Sequence, residues 1–220
     1  MSPATAGRWS TATAVVSGRD PFMAAAVEAV GHCTLTRRRH PGGAFAALAR
    51  SILYQQLAGR AAAAIHARFV ALYGGRPTPS AVLATPVDDL RAAGLSAAKA
   101  ASVKDLAWHV QSGSLRLDRL SRMDDEQIVS RLSAVRGIGR WTAEMFLIFQ
   151  LNRPDVWPAG DLGVRAGYAR IHGLAAPPAP AALPELGEPY RPYRTAAAWY
   201  CWRILDLPTS ASKTDQADLW

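Results

Sequence analysis

Val135-Arg136-Gly137-Ile138-Gly139-Arg140-Trp141-Thr142-Ala143 decides the fold of this 220-residue chain. Helical patterns lie on both sides of it, about residues 124–134 and 140–151, so Gly137-Ile138-Gly139 is read as the turn of a hairpin. Glycine permits positive φ and lets another backbone come close, and Ile138 can plug the gap between the helices. The amides of Gly139 and Arg140 then open a helix, where partial positive charge suits a phosphate. Such a contact grips a nucleic-acid backbone without reading its bases. An ordinary helix–turn–helix corner would carry the same three residues, so the motif alone leaves both readings open. Asp161 follows twenty residues after Trp141 (161 − 141 = 20). It is expected to begin a helix, as a plain cap or as an acid for chemistry nearby.

Working outward, helical spacing dominates. Phe45, Leu48 and Ile52 share one face, as do Ile65, Phe69 and Leu72, with Gly74-Gly75 as a stop. Ser96 caps a helix to about Val110, with Val103, Leu106 and Val110 inward and Lys99 and Lys104 outward. Asp124 with Gln127 resembles a capping box and opens a helix that buries Ile128 and Leu132. Trp141, Met145, Ile148 and Phe149 line the next one. Residues 161–171 and 194–205 are helical, and 175–189 reads as a Pro- and Ala-rich loop. Only Ala12 to Ser17 looks like a strand, too short to build a sheet. The predicted class is all-α.

Composition narrows the function classes. Half of the residues are hydrophobic, enough for a core at this length. No run approaches the roughly 18–20 apolar residues of a membrane span, and residues 1–17 lack a signal-peptide layout. A cytoplasmic, nucleoid-associated protein is expected. A net charge of +8 suits a polyanionic partner, although an arginine-rich proteome gives the same balance. Two cysteines, Cys33 and Cys201, cannot supply a full thiolate set for an iron–sulfur cluster. No paired Cys or His spacing suggests zinc, so no metal site is expected.

Beyond the hairpin, four further segments stand in order. They are Ser51-Ile52-Leu53-Tyr54-Gln55-Gln56-Leu57, Gly94-Leu95-Ser96-Ala97-Ala98-Lys99, Trp157-Pro158-Ala159-Gly160-Asp161-Leu162-Gly163, and Arg191-Pro192-Tyr193-Arg194 with Trp199-Tyr200 and Trp202-Arg203. Together with the hairpin they resemble the helix-hairpin-helix (HhH-GPD) DNA glycosylase superfamily, in its 3-methyladenine DNA glycosylase II (AlkA-like) branch. The resemblance spans about residues 20–207. It implies two helical lobes, a helix-hairpin-helix DNA-binding element and an active site in the cleft between the lobes. Residues 1–19 are then an N-terminal extension, standing where some relatives carry a β domain, and 208–220 a flexible tail. Tyr190 stands where a Trp is common.

The resemblance also implies roles. Relatives that cleave the strand carry a Lys where this chain has Trp141, and an indole cannot form a Schiff base. A monofunctional glycosylase is implied, acting as a monomer on alkylated bases in double-stranded DNA to leave an abasic site. Asp161 is the catalytic candidate: its carboxylate would stabilise positive charge developing on the sugar and could orient or deprotonate water. The target base must be flipped out; Trp141, Tyr54, Trp157, Phe22 and Met145 are pocket candidates, with core packing as the alternative for each. Trp199 and Trp202 are read as core. Gln55 and Gln56 lie where the family places its wedge; Arg136, Arg140, Lys99 and Lys104 are candidate phosphate contacts. No cofactor is implied beyond a monovalent cation that such hairpins can hold on backbone carbonyls. A non-catalytic damage-sensing module and a glycosylase for ethenoadenine or deaminated bases remain open as alternatives.

Overall fold

Residues Pro3–Arg19 form helix α1, which contains the run from Ala12 to Ser17 expected as a strand. Trp9, Ala12 and Val16 recur at helical spacing and all three are buried. Burial of that face overrides the β propensity of the local valines. The computed structural model describes residues 3–36 and 40–208, and no strand occurs among them. The tail expected from 208 onward therefore lies, from residue 209, outside the described residues. No helix among the described residues is long and apolar enough to cross a membrane.

After α1 come α2 (Pro21–Val30), α3 (Gly43–Tyr54), α4 (Gly59–Ala71), α5 (Pro79–Ala84), α6 (Val87–Ala92) and α7 (Ala97–Gln111). Then follow α8 (Asp125–Ser133), α9 (Arg140–Phe149), α10 (Leu162–His172), α11 (Leu183–Gly187) and α12 (Arg194–Asp206). The stretch 175–189, expected as loop, contains α11 and the start of a 3-10 turn at Glu188–Tyr190. The chain forms two compact units, one from Met1–Thr36 with Asn152–Trp220 and one from Arg37–Leu151. Within the first unit α1 packs on α2 and α12.

In the first unit α10 lies directly on α12. A Cβ at Gly167 would fall 1.8 Å from the Cys201 carbonyl oxygen, so only glycine allows the approach. Asp20 ties α2 to the rest. Its Oδ1 accepts the amides of Phe22 and Met23 at 2.9 and 3.3 Å, capping α2 ahead of Pro21. Its Oδ2 accepts the Tyr190 hydroxyl and lies 2.8 Å from His172 Nε2. His172 in turn stacks on Tyr168 at 3.9 Å.

In the second unit α7 runs beside α3 and α5, and α8 pairs with α9. The Ser96 hydroxyl accepts the Lys99 amide at 3.2 Å, starting α7 as its sequence suggests. Two expectations are corrected. Leu72, assigned to a buried face of α4, is 46% exposed because α4 ends before it. The buried stripe of α9 is Ala143, Phe146, Leu147 and Ile148, whereas Trp141, expected with Ile148, is 48% exposed. The core takes the face one residue further round the helix.

Burial pushes the Asp20 carboxyl up, but hydrogen bonds from Tyr190, His172 and the Met23 amide outweigh it and hold the group below its usual 3.8. A depressed folded value adds stability that is complete above 3.8 and disappears as pH falls through the folded value. Asp20→Asn should therefore cost about 1–3 kcal/mol at neutral pH. In thermal unfolding the gap between variant and parent should close as the solution is acidified; a gap independent of pH would contradict this role.

Candidate functional site

The hairpin folds as its sequence suggests, and its fastenings are the new information. Asp124 accepts the Gln127 amide at 2.8 Å and starts α8. Gly137 takes φ +80, while Gly139 has φ −90 and caps α9 without a side-chain bond. Positive φ is therefore needed at the first glycine only. At the second, an added Cβ would meet nothing within 4 Å; glycine there leaves open room at the start of a helix. Ile138 is 3% exposed and fills the gap under the turn.

Three side chains hold the turn from outside. Asp105 on α7 accepts the Arg136 amide at 2.8 Å. Gln55, at the end of α3, donates its amide to the Gly137 carbonyl at 2.8 Å and reaches the Thr142 hydroxyl at 3.4 Å. Ser102 on α7 packs so close that a Cβ at Gly137 would lie 2.6 Å from its Oγ. Gln55 is thus a strut for the hairpin. Its neighbour Gln56 is exposed with φ +55 and forms the tip of the α3–α4 turn with Leu57. Of the hairpin carbonyls that a monovalent cation could use, that of Val135 accepts the Ile138 amide and that of Gly137 accepts Gln55.

Several basic candidates have inward duties. Lys99 and Lys104, expected to point outward, are half-buried. Lys99 Nζ donates to the Leu53 and Gln55 carbonyls at 2.6 and 2.9 Å, capping the end of α3; burial lowers its pKa. Lys104 Nζ donates to the Leu83 carbonyl at 2.9 Å on α5. Arg140 makes a paired contact with Glu126 at 2.9 and 2.7 Å, which raises its own pKa and lowers that of Glu126. Arg136 is exposed at the tip of the turn.

The aromatic candidates divide. Trp141 is half exposed on the first turn of α9, with Met145 one turn on and half-buried. Tyr54 has the Arg50 guanidinium over one face at 3.9 Å and His66 at its edge at 5.9 Å. These three and the hairpin belong to the second unit. Phe22, Trp157 and Asp161 belong to the first. Phe22 is 54% exposed and leans on His172. Trp157 is buried and packs as a core ring, the alternative reading for it. Its indole N–H donates to the Leu183 carbonyl at 2.7 Å, Gly187 packs against it, and Tyr168 and Tyr190 flank it.

Asp161 is 9% exposed and sits at the N-cap of α10. Its Oδ1 accepts the Val164 amide at 2.7 Å and the Trp202 indole N–H at 2.9 Å. A carboxylate fixed in this way, at the positive end of an eleven-residue helix, is a preorganised negative charge. Sequence reasoning assigned Trp202 to the core and missed this contact. Helical spacing places a residue on a face but does not reveal what its indole nitrogen touches 41 positions away.

Comparisons with known proteins bear on this arrangement. Residues 49–192 match the family described as HhH-GPD superfamily base excision DNA repair protein. DNA-3-methyladenine glycosylase 1 of Schizosaccharomyces pombe is 38% identical over 87% of this chain and 86% of its own length. The solved structure of the 3-methyladenine DNA glycosylase of that yeast in complex with abasic DNA superposes with a TM-score of 0.80, covering 90% of this chain and 97% of the other. A DNA-3-methyladenine glycosidase structure from Bacillus halodurans gives 0.81 at 30% identity, covering 92% and 91%.

Gly137→Ala should lower the unfolding free energy by roughly 2 kcal/mol, from positive φ and the Ser102 clash together. Adding Ser102→Gly should restore only the part due to the clash. Denaturant titration of the single and double variants checks this; an unaffected single variant would contradict the φ and packing assigned to the turn.

Proposed function

Because the chain belongs to the HhH-GPD superfamily of base excision DNA repair proteins, we propose that it is a monofunctional DNA glycosylase. Its substrates are alkylated purines of the 3-methyladenine and 7-methylguanine type in duplex DNA. The observation that carries this reading is Asp161: a nearly buried carboxylate, held by two donors at a helix N-terminus. The names of the relatives at 30–38% identity support the substrate class.

In this reading the open start of α9 at Gly139 receives a DNA phosphate on its first amides. Trp141 offers a ring to the flipped base, and a cationic alkylated purine stacks well on an electron-rich indole. The bond between C1′ and the base nitrogen breaks with its electron pair going to the base. Such a base already carries positive charge, so departure needs no strong general acid. Asp161 stabilises the oxocarbenium-like sugar, water adds to C1′, and its proton passes to the carboxylate or to solvent. The exposed Gln56–Leu57 tip fills the vacated stack. Trp141 cannot attack C1′ as a lysine amine would, so the strand stays intact.

Asp161→Asn should lower the single-turnover release of 3-methyladenine by roughly 10²-fold or more, while affinity for duplex carrying an abasic-site analogue persists. Unimpaired release would overturn the assignment, and an unmodified chain that binds abasic DNA but releases no base would favour the sensing module. Affinity should also fall steeply as salt is raised. A flat response would remove the phosphate contacts from the account.

A further inference from the structure

We infer that Trp202 is a positioning residue for Asp161, and that Gly163, in the first turn of α10, is glycine to let it through. This rests on the reading of Asp161 as the catalytic carboxylate.

A helix N-cap needs one donor, and the Val164 amide at 2.7 Å supplies it. The second donor on the same oxygen comes from another element, α12, at 2.9 Å. Two hydrogen bonds from different directions fix where Oδ1 sits, and fixing one carboxylate oxygen sets the direction of the other. Bonds to an ionised acceptor are among the stronger ones. The indole N–H only donates and does not titrate near neutrality. Trp202 therefore neither takes up nor gives a proton in the reaction, and its contribution is aim.

Gly163 lies in the path of that indole. A Cβ there would stand 3.0 Å from Trp202 Cδ1, 3.2 Å from its Nε1 and 3.1 Å from Asp161 Oδ1. All three distances are tighter than ordinary van der Waals contact, so any side chain would press on the hydrogen bond itself. Further along the same face, at i+4, Gly167 meets the backbone of Cys201, the residue before Trp202. The two glycines bring α12 against α10 and then leave the gap through which the indole reaches the carboxylate. Catalysis by a misdirected carboxylate suffers where binding does not, since displacements of about 1 Å can cost 10²-fold in rate.

The test uses the full chain and four variants: Trp202→Phe, Trp202→His, Gly163→Ala and Asp161→Asn. Single-turnover release of 3-methyladenine, affinity for duplex with a tetrahydrofuran abasic-site analogue, and thermal midpoint are measured for each. Trp202→Phe removes the donor and keeps a ring, and should slow release by roughly ten- to a hundredfold. Affinity should stay within about twofold of the parent, the pattern of an interaction that matters only in the transition state. Trp202→His keeps an N–H and should recover part of the loss, and Gly163→Ala should slow release as Trp202→Phe does. Release by Trp202→Phe within about twofold of the parent would overturn the inference, as would a parallel fall of rate, affinity and midpoint. Loss of release in Asp161→Asn with full release in Trp202→Phe sinks this inference alone. Full release in Asp161→Asn sinks the underlying reading.

Discussion

The contact on which the setting of Asp161 depends is one between backbones. At Gly167, α10 comes so near α12 that a methyl group would overlap the Cys201 carbonyl. Every side-chain contact between the two helices inherits that spacing. One turn toward the N-terminus, Gly163 continues the bare stripe, and there the Trp202 indole passes to Asp161. A polar site is thus assembled by two residues without side chains. Interiors packed this closely do not absorb an added methyl group without a shift elsewhere, which makes the aim of the carboxylate a consequence of helix packing.

The hairpin in the other unit follows the same logic with different means. Its turn is held by Asp105, Gln55 and Ser102 from α7 and the end of α3. Lys99 closes the same end of α3. The exposed tip at Gln56 and the hairpin turn are therefore both fastened through Gln55 and its neighbours. Positive charge is spent in the same structural way elsewhere. Arg68, Arg165 and Arg170 donate to the carbonyls of Ala93, Pro178, Leu207 and Pro208, and Arg194 pairs with Asp155. The net charge of +8 raises the surface potential, but it overstates the cations available to a polyanion.

Much of this was legible in the sequence. The apolar spacing of Phe45, Leu48 and Ile52, the Ser96 cap, the Asp124 cap and the Gly137-Ile138-Gly139 turn each rest on local rules, and each folds accordingly. Asp161 was legible as the start of a helix, and it caps α10 as expected. What escaped was long-range. The helical stripe of Trp9, Ala12 and Val16 matters only because α2 and α12 cover it. The ammonium of Lys99 finds carbonyls 44 and 46 residues away. Trp157 and Trp202 share a residue type, yet one bonds a core carbonyl and the other the candidate catalytic carboxylate. No local pattern separates those two tryptophans.

The central claim is that a fixed carboxylate stabilises positive charge on the sugar while an already cationic base departs. A secondary isotope effect reads that charge directly. Release of 7-methylguanine from duplex DNA carrying deuterium at C1′ should be slower than from the protium duplex, because C1′ flattens toward a cation before water adds. An isotope effect of unity or an inverse effect, or no release of methylated purine at all, would contradict the account.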